Sequence, residues 1–182
     1  MTSKPRTALL ALTAAATLAF ALGGCASAAP APASPSESAS SAPADDVACA
    51  GVTVVIDTGD LEVTDDPSDE VCVETEETIL GTDAIAAAGF TTEGTATYPE
   101  DVVCRVDGVP SAETELTGDD GAPYHEACAN MPPAAAYWGL WVKPVGGVWD
   151  YAQTSLPTLQ LNPGDSVQLL FTVNGEPAAP AS

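Results

Sequence analysis

Runs of β-branched and apolar residues, broken by acidic or Gly/Pro-rich stretches, fill the chain from about residue 48 and read as strands. "GVTVVID", Gly51 to Asp57, predicts the first strand. The acidic "TGDLEVTDDPSDE" predicts a loop, and "VCVET" from Val71 returns as a short strand. In "EETILGTDAIAAAGF" the period changes to that of a helix. Ile79, Leu80, Ala84, Ile85 and Ala88 then share one face, and Gly89 falls where a C-terminal cap belongs. "FTTEGTATY" and "DVVCRVDG" alternate again, with Asp107-Gly108 as a turn. "VPSAETELTGDDGAPYHEACANMPP" reads as a loop stapled by Cys128. "LNPGDSVQLLFTVNG" closes the chain as a Pro-Gly-Asp turn and a last strand. One helix among about seven strands predicts an α+β domain, a small and mostly antiparallel sheet.

All three tryptophans and two of the four tyrosines crowd into Ala134 to Ala152. This stretch predicts a hairpin: "AYWGLWVK", a turn "PVGG", then "VWDYA". A two- or four-residue loop sets Lys143 opposite Val148 and groups Trp138, Leu140 and Val142 with Trp149 and Tyr151. Tyr137 and Trp141 then face the other way. A three- or five-residue loop slips the register and reverses the group that Trp149 joins. Either register leaves aromatics on both faces; one face serves a core, and the other needs a loop, a partner or a ligand over it.

The N-terminus changes the picture. "MTSKPR" followed by "TALLALTAAATLAFAL" is a basic n-region and an apolar run too short for a comfortable membrane span. It ends in "LGGC", the bacterial lipobox pattern, which predicts cleavage after Gly24 and acylation of Cys25. Each buried acyl methylene contributes about 0.8 kcal/mol to such an anchor. Residues 25–47, nearly all Ala, Ser and Pro, lack the apolar surface to offset chain entropy and predict a disordered tether. Residues 48–176 form the expected domain, and 177–182 a disordered tail.

Once the signal leaves with Lys4 and Arg6, the strong cations are Arg105 and Lys143, and the formal net charge is 2 − 26 = −24. Nothing neutralises phosphates, which excludes nucleic acid and disfavours anionic headgroups. The acidity suits solubility, cations or a basic partner. Cys49, Cys72, Cys104 and Cys128 remain, an even set in an exported domain, and predict two disulfides. Cys49–Cys72 and Cys104–Cys128 are favoured among the three connectivities because each joins neighbouring segments. Their spacing does not suit zinc.

The helix end "AIAAAGF", the strand "VCRVDG", "YWGLWV", the answering "WDY" and the closing "LNPGDSVQLLF" occur in an order that resembles a known family. It is the C-terminal β-domain of transcobalamin and intrinsic factor, with its bacterial relatives of unassigned function. The resemblance covers Val52 to Val173. In the vertebrate carriers this domain covers one face of cobalamin while a helical barrel grips the other; no segment of this sequence reads as that barrel. The resemblance implies contact between a corrinoid and the aromatic hairpin, with Tyr137, Trp138, Trp141, Trp149 and Tyr151 as candidate ligand-binding residues. Flat rings suit a flat macrocycle.

Other chemistry is thin. His125, the one histidine, sits in a polar loop beside Glu126. "GDS" at Gly164 to Ser166 lacks the histidine and acid partners of a serine hydrolase. The loop carrying Asp57, Asp60, Glu62, Asp65, Asp66, Asp69 and Glu70 lacks a calcium-loop register. No phosphate loop, zinc-protease motif or redox Cys-x-x-Cys is present. The expectation is a non-enzymatic lipoprotein on the extracytoplasmic face of the cell membrane. It would bind a small ligand, a cobalamin or other corrinoid, and present it near a membrane transporter. The alternative is a protein- or wall-interaction module using the aromatic hairpin as a docking patch. A small-ligand site would set Trp141 or Trp149 in a concave pocket, whereas a docking patch would be flat.

Overall fold

The computed structural model describes residues 49–173 and 179–180. The predicted signal segment, Cys25 and the tether lie outside the described residues, as does most of the predicted tail.

In chain order the elements are β1 (Val52–Asp57), β2 (Asp69–Val73), β3 (Ile79–Leu80), α1 (Gly81–Ala87), β4 (Thr92–Gly94) and β5 (Val103–Val106). They continue with β6 (Leu116–Thr117), β7 (Pro123–Tyr124), β8 (Ala136–Lys143), β9 (Asp150–Tyr151), β10 (Gln160–Leu161) and β11 (Ser166–Val173). Five strands make the main sheet in the order β2-β1-β11-β8-β9. Its first and last strands, β1 and β11, lie parallel at the centre, and its other pairs are antiparallel. A parallel pair cannot be closed by a hairpin, so the other elements lie on the long connection between them. The domain is thus mostly sheet with a single short helix among the described residues.

Alternation of side chains sorts the sheet into two faces. Val52, Val54 and Ile56 of β1, Val167, Leu169 and Phe171 of β11, and Ala136 and Trp138 of β8 form one face. They pack with Ala84 and Ile85 of α1 and with Leu156, Leu159 and Leu161. Each fully buried side chain of this size contributes about 1.5–3 kcal/mol. This is the core face.

The helix departs from its sequence expectation. Ala84 and Ile85 are buried as anticipated, and Gly89, at φ +95°, caps the C-terminus. Ile79 and Leu80, however, are strand: they pair with Leu161 and Gln160. Gly81 starts the helix because its N–H is taken by Leu159 O at 2.9 Å, and Leu156 stands about 3.0 Å from where a Cβ would be. Pairing to a segment 80 residues downstream overrides the local helical period. The predicted Asp107-Gly108 turn is present, with both residues at positive φ. The stretch read as a loop carries the small β6–β7 hairpin, turned at Gly121 with φ +78°.

Both favoured disulfides form, Cys49–Cys72 and Cys104–Cys128. The first fastens the start of the domain to edge strand β2, and the second fastens β5 to the β6–β7 region. Two disulfides fit an oxidising, extracytoplasmic compartment. Among the described residues no helix is long and apolar enough to cross a membrane.

Candidate functional site

The aromatic hairpin fixes the candidate site, and its register is the slipped one. Trp141 pairs with Tyr151, and Val142 with Asp150. The loop is therefore one residue longer than "PVGG", with Val148 pushed out to 79% exposure. Asp165 supplies the reason: its Oδ1 accepts the Val145 N–H at 2.9 Å, while its Oδ2 accepts the Asn162 N–H at 2.9 Å. Gly147 N–H closes on Pro144 O at 2.8 Å, and Gly146 turns at φ +70°.

In this register Trp138 stands alone among the hairpin aromatics on the core face. It meets Phe171 edge-on with centroids 5.2 Å apart, and its Nε1 donates to Val109 O at 3.1 Å. Tyr137, Trp141, Trp149 and Tyr151 gather on the outer face. The grouping of Trp138 with Trp149 and Tyr151 expected from a four-residue loop is thus corrected by the anchored five-residue loop.

The outer face is built closely. Trp141 stacks on Tyr151 at 3.8 Å and 27°, and is only 8% exposed. Gly139 makes room for them: a Cβ there would lie 3.1 Å from Trp141 Nε1 and 3.4 Å from the Tyr151 ring. The Trp141 and Tyr151 rings therefore stack closely on one another over Gly139. The Tyr137 and Tyr151 hydroxyls are 3.1 Å apart, and Lys143 Nζ sits 4.9 Å from the Trp149 ring. Beside them Gln168 is buried and reaches Asp57 Oδ2 at 3.3 Å. Tyr137 and Trp138 also line a cleft of about 190 Å³ at the edge of the core.

Burial, followed by the hydrogen bond to Tyr137, pushes the Tyr151 hydroxyl up to about 12. The folded protein then holds a proton that the unfolded chain releases near pH 10, so this contribution is complete below pH 10 and is lost up to about pH 12. Burial and the Glu126 carboxylate push Tyr124 up as well, in the same direction. Thermal stability is expected to fall across that alkaline window, with late tyrosinate absorbance. Ionisation of every tyrosine near pH 10 would contradict the raised, half-buried Tyr151 and Tyr124 hydroxyls.

Sequence reading missed one cluster. Glu126, placed there only as a neighbour of His125, is 4% exposed. Its Oε1 accepts the Cys128 N–H at 2.6 Å, and its Oε2 accepts the Tyr124 hydroxyl. Arg105 binds the same loop, donating to Pro110 O, Glu126 O and the Glu93 carboxylate at 2.8, 2.6 and 2.9 Å. The available signal was the alternation Tyr124, Glu126, Cys128, the period of extended chain. Glu126 also approaches both Cys104 and Cys128, with ligand atoms within 4.8 Å of one another, but the sulfurs are spent on each other. His125 is exposed, its Nδ1 3.0 Å from Thr114 O. The "GDS" triplet is a turn fastener through Asp165. In the acidic loop, the Ser68 hydroxyl and backbone N–H donate to Asp66 and hold its carboxyl below the usual range.

No family model, curated protein or solved structure matches this chain.

Proposed function

We propose that this chain is a membrane-tethered, extracytoplasmic binding module, non-enzymatic, that works through the outer face of its aromatic hairpin. Acylated Cys25 would hold it at the membrane, and the Ala/Ser/Pro tether would set its reach. One observation carries the reading: four of the five hairpin aromatics lie on the face opposite the core. A core needs only Trp138 of this set.

The closed stack of Trp141 on Tyr151 favours a docking patch. Trp141 is closed off by Tyr151, so a partner meets a broad surface of Tyr137, Tyr151 and Trp149 with Lys143 at its edge. A surface protein or wall polymer is the partner this geometry suits best. The corrinoid reading rests on the resemblance to the transcobalamin C-terminal domain. It is favoured by one feature, since a domain that covers one face of a macrocycle needs a flat wall. In that reading the module would pass its ligand to a membrane transporter.

The mature chain with Cys25→Ser and intact disulfides separates the two. Titration with cobalamin and its biosynthetic precursors, up to about 100 μM and above the micromolar range of useful carriers, is followed by the corrin spectrum and by melting temperature. The docking reading expects no saturable change. Saturable binding that Trp149→Ala and Tyr151→Ala variants lose while still folded would make the occupant a corrinoid. Saturable binding untouched by both variants would remove the outer face from the account.

A further inference from the structure

The core face of β8 is left partly uncovered. Trp138 is buried, but Leu140 and Val142, which point the same way, are only half-buried. Above Leu140 the covering elements stand apart and leave the cleft of about 190 Å³, walled by Val102, Val103 and Leu156. Met131, 61% exposed, stands at its mouth. A second cleft of about 290 Å³ shares Val102, Val103 and Leu156 with it, so the two lie side by side along one grooved surface. Walls facing a gap forgo dispersion contacts that an apolar occupant would restore.

The groove also has a sign. Asp101 lines the first cleft and Glu100 the second, while no basic residue lines either. Ser155 Oγ donates to Asp101 Oδ1 at 2.8 Å, which fixes the carboxylate and leaves its second oxygen for a ligand. Arg105 is spent on Glu93, Pro110 and Glu126, and Lys143 lies over Trp149, so neither serves these carboxylates.

We propose that this groove is a binding site for a small organic cation with an apolar body, an alkyl- or arylammonium, its apolar part against Leu140 and Leu156 and its charge at Asp101. The site opens on the core side of the sheet and meets the aromatic outer face only at Tyr137, which borders both, and it stands or falls independently of the docking function.

The test uses the full mature chain with Cys25→Ser and both disulfides formed. Octyltrimethylammonium is titrated against octyl sulfate, each below its micelle-forming concentration and at low salt, while the methyl resonances of Val102, Val103, Met131, Leu140 and Leu156 are followed. Saturable shifts confined to those methyls are expected, with the cation preferred by about threefold or more, the scale of one exposed charge pair. Asp101→Asn with Glu100→Gln should erase that preference while leaving the fold intact. Val102→Trp, if it folds, should fill the groove and abolish the shifts. Shifts spread over both sheet faces, equal binding of the sulfate, or a preference that survives the double substitution would overturn the proposal.

Discussion

Trp138→Ala is expected to destabilise the domain by about 4 kcal/mol, well beyond the loss at Trp149 or Tyr151. Three effects add up at this residue. A large buried side chain, 6% exposed, is removed from the core. Its edge-on contact with Phe171 disappears, and Val109 O loses the indole donor at 3.1 Å. Trp149→Ala and Tyr151→Ala act on the other face and should cost about 1 kcal/mol each, in the range of cross-strand aromatic pairs. Denaturant unfolding of the three variants, oxidised and side by side, reads this directly. Equal losses at Trp138 and Tyr151 would mean that the outer aromatics are a second core.

Breaking Cys104–Cys128 should cost about 3 kcal/mol from loop entropy alone, given the sequence separation of 24. Cys49–Cys72 closes a loop of nearly the same size, with a separation of 23, so the entropic terms are alike. The difference lies in the surroundings. Cys128 N–H and the Tyr124 hydroxyl are what keep the buried Glu126 carboxylate solvated, and Arg105 ties the same loop to β5. Freeing Cys128 loosens these groups together, and a buried carboxylate stripped of donors is costly. Cys104→Ser with Cys128→Ser is therefore expected to lower the unfolding midpoint more than Cys49→Ser with Cys72→Ser. The reverse order would show that the Glu126 cluster contributes nothing to the staple.

The strands that carry the core were legible because their information is local. β1 is a β-branched apolar run, β8 an aromatic-rich apolar run ended by Pro144, and β11 follows a Pro-Gly-Asp turn, so local composition and turn signals place them. Gly89 and Asp107-Gly108 were legible because positive φ restricts the residue type. What failed was long-range. Ile79 and Leu80 look helical until Gln160 and Leu161 arrive to pair with them. The hairpin register depends on Asp165, far along the chain, gripping Val145. Without that anchor the loop length stays open, and with it the distribution of aromatics. The candidate residues were legible as a set, but the division of labour among them was not. Trp138 belongs to the core, while Tyr137, Trp141, Trp149 and Tyr151 belong to the outer face.

That division is the centre of the account, and a photo-crosslinker tests it most directly. Benzoylphenylalanine is placed at position 149 on the outer face, or at exposed Thr158 outside the hairpin, in the full chain displayed on its own cell surface. The account predicts one discrete adduct from position 149, suppressed when Tyr137→Ala and Tyr151→Ala are added, and none from position 158. No adduct from 149, or the same adducts from both positions, would contradict the assignment of the aromatic outer face as the working surface.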